Sequence, residues 1–193
     1  QKLKLICHAV NEAKFTTYNQ IPRFNENIIG MANDINSKNK PLFDFYLTIY
    51  SLFTDSDTVG SYTIIKQKLE CADVIDESER RIIFQYVINY CIMELNSGNH
   101  NFELELFDIY RTYLRKIEDR VFSPFRFKNI INLSLKLKQF DFAGSFIDEY
   151  GKRLPAEQQQ TVIAFNKAKL NYELKNYDDI IDTLQNIKTG DLT

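Results

Sequence analysis

Apolar residues recur at helical spacing along nearly the whole chain, and the polar breaks between the runs divide it into ten expected helices. From Leu3 to Tyr18, Leu5, Cys7, Val10, Ala13 and Phe15 mark a first helix. After Pro22, a short second helix runs from Phe24 to Ile35, followed by a polar loop, Asn36 to Asn39. Pro41 stands where a first helical turn accepts it, and Leu42 to Phe53 is apolar nearly all round, as expected of a helix buried on several sides. Asp55 to Thr58 supplies a turn and an N-cap for Val59 to Ala72. Asp76 with Glu79 has capping-box spacing before Ile82 to Leu95, an apolar run too short to cross a bilayer. Asn96 to Asn99 closes that run, and Phe102 to Ile117 returns. Ser123-Pro124, an expected N-cap and first-position proline, opens Phe125 to Lys138, with Phe140 to Tyr150 as its partner. Gly151 suits a helix end. Leu154-Pro155 then starts the last pair, Thr161 to Leu174 and Asp178 to Ile187.

One phrase occurs twice. Lys138-Gln139-Phe140-Asp141 and Lys175-Asn176-Tyr177-Asp178 each follow an apolar helical run and precede an amphipathic one, with the aromatics 37 residues apart. Extended backwards, Phe24, Tyr62, Phe102, Phe140 and Tyr177 each lie near the start of a second helix, at separations of 38, 40, 38 and 37. A period of that size belongs to stacked helix pairs. The expected hairpins span about 1–36, 40–74, 77–118, 123–153 and 155–189, within one helical-repeat domain. No alternating run bounded by turns argues for a strand. The competing reading is a single all-α bundle in which the period is accidental.

Composition narrows the function classes. Hydrophobic residues make up 44% and charged residues 26% of the 193, which is globular, and 6 Gly with 4 Pro leave little for the turns of an all-β fold. The net charge of −2 gives no overall field for nucleic acid or anionic lipid, and no membrane insertion is expected. Cys7, Cys71 and Cys91 are dispersed without a CxxC, which reads as reduced, mostly buried thiols in a reducing, cytoplasmic compartment; one disulfide with a leftover thiol is the other arrangement. The chain begins with Gln1 rather than Met, the expectation for a piece of a longer or processed chain.

The residues that repeat resemble the tetratricopeptide repeat. That family has an aromatic soon after the inter-helix turn, a small residue three positions on, and a proline closing the second helix. Phe140, Ala143 and Pro155 match all three in the fourth hairpin. The fifth matches through Tyr177 and Ala168, but has Ile180 where a small residue is expected; hairpins one to three match through the aromatic and the general pattern. The resemblance implies an α–α superhelix whose first helices line a concave groove for an extended peptide or a partner's helix. It implies no catalysis and no cofactor.

Some members of that family grip a peptide's terminal carboxylate with a Lys and an Asn one turn apart and an Asn from the next repeat. Lys128, Asn132 and Asn166 stand at the matching positions. Residues at i and i+4 share a helix face, and ammonium and amide donors suit a carboxylate. The plain alternative is a solvated groove face. Lys169 is counted with this set, and Phe165, Tyr172 and Tyr90 are the aromatics expected to anchor apolar side chains of a ligand if they are exposed, or to pack the core if they are not.

Other constellations carry less. Arg111, Arg115, Lys116, Arg120, Arg126 and Lys128 form the one basic concentration, diluted by Glu118 and Asp119, and no nucleic acid is expected. His8 and His100 are 92 residues apart, and neither stands in a Cys or paired-carboxylate spacing that would suggest a metal. There is no GxG and no GxSxG, so no enzyme is expected. The expectation is a non-enzymatic protein- or peptide-binding scaffold; the alternative is a peptide-sensing regulatory domain of a larger transcriptional or signalling protein. If the array continues, its end helices here carry uncapped faces, and Asp178–Ile187 is a candidate homodimer surface.

Overall fold

The helical periodicity produces helices throughout. A computed structural model describes residues 1–15, 40–55, 57–117 and 121–185, all-α, with no strand among them. The expected second helix over Phe24–Ile35, with the first of the periodic aromatics, lies outside the described residues. The others are α1 (Lys2–Phe15), α2 (Lys40–Thr54), α3 (Thr58–Glu70), α4 (Glu77–Asn96), α5 (Phe102–Lys116), α6 (Pro124–Lys136), α7 (Phe140–Tyr150), α8 (Ala156–Glu173) and α9 (Tyr177–Gln185). Short 3-10 turns follow α3 and α7, at Ala72–Val74 and Gly151–Arg153.

The chain divides into two compact units, Gln1–Ile117 and Glu118–Thr193. In the first, α2 pairs with α3 and α4 with α5, while α2 also packs on α4 and α3 on α5. α1 lies against α2 and touches α4. In the second, α6 pairs with α7 and α8 with α9, and α6 packs on α8. Neighbouring helices that pair while alternate helices also touch are compatible with a helical repeat.

Burial follows the apolar pattern. Ile49 and Leu52 of α2, Ile65 of α3 and Ile83, Phe84 and Val87 of α4 are fully buried, and α4 is the inner helix its run implied. Between them Tyr90 is stacked on Tyr62 at 5.5 Å, with Phe102 and Phe53 set edge-on at 5.6 and 6.0 Å. The second unit has its own aromatic core, in which Phe146 lies 5.1 Å from Phe127, 5.8 Å from Phe122 and 4.8 Å from Tyr150.

The helix ends show the period in backbone form. Gly98 (φ 92), Lys138 (φ 57) and Lys175 (φ 63) are left-handed residues just past α4, α6 and α8. Each is closed by the same pair of bonds. Lys138 N donates to Leu135 O and Gln139 N to Ser134 O; Lys175 N donates to Tyr172 O and Asn176 N to Asn171 O. Gly98 and Asn99 do the same to Leu95 and Glu94. The twice-occurring phrase is therefore a helix stop followed by a helix start, and Phe102, Phe140 and Tyr177 are each the first residue of the next helix.

Three local expectations need correcting. Asp57 caps α3 as expected, accepting from Gly60 N at 3.0 Å, but Asp76 and Ser123, though at N-cap positions, make no side-chain cap bond. Glu79 is diverted from the capping box because it binds Lys4 and Tyr46 instead. Gly151 does end its helix, as the C-cap of α7, but with an ordinary helical φ of −54, and a Cβ there would press on the Ile163 side chain at 2.8 Å. Of the three thiols, Cys7 and Cys91 are buried, but Cys71 is exposed, and all three are free.

Candidate functional site

Two helix stripes in the second unit run beside a cleft that only part of each lines. On α6, Lys128, Asn132, Leu135 and Lys136 follow one another at i, i+4, i+7 and i+8; on α8, Phe165, Lys169 and Tyr172 stand at i, i+4 and i+7. Because α6 packs on α8, these stripes meet. Lys169 Nζ donates to Asn132 Oδ1 at 2.9 Å and lies 5.0 Å from the centroid of the Phe165 ring. Beside this pair is a cavity of about 560 Å³ lined by Asn132, Lys136, Lys138, Lys169, Tyr172 and Glu173.

The electrostatics are lopsided. Three lysines and one carboxylate line the cleft. Burial, and then the like charge of Lys128, hold the Lys169 ammonium below the ordinary lysine range. An anion placed beside Lys169 would relieve that penalty, since an opposite charge favours the protonated form. Tyr172 is 63% exposed and Phe165 44%, so both rings are open to an apolar group. Tyr172 is held by an edge-on contact with Tyr177 at 6.2 Å. Ammonium, amide and exposed aromatic faces together suit a carboxylate or carbonyl oxygen next to an apolar side chain.

The expected residues are only partly gathered. Lys128 and Asn132 are exposed on α6, and Lys169, Phe165 and Tyr172 are with them. Asn166 is not. It is 1% exposed, its Nδ2 donates to Val162 O at 2.7 Å, and its buried Oδ1 finds no partner among the described residues. Its position is on the face of α8 turned into the core, so the donor that a terminal carboxylate would need is already in use. Lys169, three residues on, engages Asn132 in its place. Tyr90 is also corrected: at 1% exposure inside the aromatic cluster of the first unit, it packs the core and cannot anchor a ligand.

Lys136, Lys138 and Glu173 were missed. Lys138 reads as part of the repeated helix stop, and the left-handed turn there brings it to the cleft mouth beside Lys136, which ends the α6 stripe. The available signal was local charge, three lysines at 136, 138 and 169 against a single lining acid. No family model, curated protein or solved structure matches the chain.

Proposed function

We propose that the chain is a non-enzymatic protein- or peptide-binding scaffold, a tetratricopeptide-like superhelix of helical hairpins, and that the α6–α8 cleft grips its ligand. The observation that supports this reading most strongly is the Lys169–Asn132 pair at the edge of a lysine-lined cavity flanked by exposed Phe165 and Tyr172. A ligand with a carboxylate next to an apolar residue meets the ammonium of Lys169, the amide of Asn132 and the two rings at once. Lys128, Lys136 and Lys138 add long-range attraction rather than fixed contacts, because exposed charges are screened by salt.

Isothermal titration with short acidic peptides ending in a free carboxylate tests this. Lys169→Ala is expected to weaken binding about tenfold, the loss of one charged hydrogen bond, and Lys128→Ala by less. Affinity should fall as salt rises. Absence of measurable heat, or affinities unchanged in both variants, would remove the proposal.

A further inference from the structure

The last helix carries the kind of ligand that the α6–α8 cleft calls for. α9 holds Asp178, Asp179 and Asp182 among its 9 residues and no basic residue. Tyr177 and Ile181 form one i, i+4 stripe along it, and Asp178 and Asp182 form the stripe beside that one. All four are exposed, Tyr177 and Ile181 at 56% each. A surface helix ordinarily turns its apolar stripe to the core. α9 packs along α8 and yet leaves a ring and a branched aliphatic chain in water, each with an aspartate as its neighbour in sequence.

The acids decide what can cover that patch. An apolar neighbour would strand desolvated carboxylates, which is costly, whereas a cationic surface with exposed rings answers both stripes. Of the chain's basic stretches, that on α5 is already paired: Arg111 with Asp108 at 4.0 Å, Arg115 with Glu70 at 3.3 Å and Lys116 with Asp73 at 2.6 Å. In the α6–α8 cleft, the polar partner of Lys169 is the neutral Asn132 amide. Three lysines line that cavity against one carboxylate, and Phe165 and Tyr172 are exposed beside them. No described residue of α9 lines the cavity in its own chain. The complementary surfaces can therefore meet between copies.

We propose that the α6–α8 cleft receives a second copy of this chain, which lays the acidic stripe of its α9 against Lys169, Lys136 and Lys138 and sets its Tyr177 and Ile181 against Phe165 and Tyr172. The inference rests on the reading of the cleft as a site for an acid next to an apolar group, and names the molecule that supplies them. Cleft and helix belong to one compact unit, so a twofold axis gives two identical contacts and closes the pair as a dimer. With 9 residues, α9 is only about 13 Å long, so each contact is small and the dimer is weak and exchanges readily. Charge does much of the work of pairing, which makes association sensitive to salt.

Sedimentation velocity of the whole 193-residue chain, from micromolar to millimolar protein, tests this. A monomer–dimer equilibrium that moves toward monomer as salt rises is expected. Asp178→Lys and Lys169→Glu should each weaken the dimer about tenfold, the loss of a charged hydrogen bond. An equimolar mixture of the two variants should regain the dimer. In that pair the reversed helix of one meets the reversed cleft of the other, and the second contact is native. Ile181→Ser, which keeps every charge, should also weaken the dimer while leaving the affinity for short acidic peptides undiminished. Three results would each overturn the inference: monomer at every concentration, a dimer indifferent to Lys169→Glu, or a mixture that stays monomeric although both variants keep their helical circular dichroism. A chain that stays monomeric but binds short acidic peptides overturns this inference alone. One that neither dimerises nor binds them removes the cleft reading as well.

Discussion

Glu79 is the residue on which three helices converge. Its carboxylate accepts from Lys4 of α1 at 2.8 Å and from the Tyr46 hydroxyl of α2 at 2.5 Å, while its own backbone belongs to the first turn of α4. Burial pushes its pKa up, but the bonds from Lys4 and Tyr46 outweigh this and hold it below its ordinary value of 4.5. A carboxyl whose pKa is depressed on folding contributes stability above its unfolded pKa, and that contribution is lost as pH falls through the folded value. Stability against denaturant is therefore expected to fall as pH is lowered below about 4.5, with part of that slope missing in Glu79→Gln. At neutral pH the same variant should be less stable by about 1–2 kcal/mol, the order of a hydrogen bond to a charged group, discounted because the Lys4 side chain is 38% exposed. An unchanged pH slope in the variant would show that the Lys4 and Tyr46 contacts do not stabilise the fold.

At the scale of the element, the helix stops carry the period. Gly98, Lys138 and Lys175 have the same left-handed backbone, but only the first is glycine. A side chain in that conformation costs roughly 1 kcal/mol, and no Cβ contact lies within 4 Å at Gly98. Lys138→Gly and Lys175→Gly are expected to stabilise the chain by roughly 0.5–1 kcal/mol each, and Gly98→Ala to destabilise it by a similar amount, read from urea midpoints. This is also where the legibility of the sequence divides. Helix positions, and the aromatics Phe102, Phe140 and Tyr177 at helix starts, follow from local periodicity and turn chemistry, which adjacent residues largely decide. The role of Glu79 was misread because its capping-box spacing is local, whereas Lys4 and Tyr46 are 75 and 33 residues away. Asn166 and Tyr90 were misassigned for a related reason: a repeat register names a position on a helix but does not say which face the neighbouring helices cover.

For the molecule as a whole, the candidate binding cavity lies in the second compact unit, between α6 and α8, and its lining is cationic. Among the described residues no helix is long and apolar enough to cross a membrane. The measurement that bears most directly on this account is backbone amide exchange of the full chain, alone and with a saturating acidic peptide that ends in a free carboxylate. Slower exchange in the last turns of α6 and α8, around Asn132 to Lys138 and Lys169 to Glu173, with α3 and α5 unchanged, is the predicted result. Exchange that does not slow in α6 and α8, or that slows only elsewhere, would contradict it.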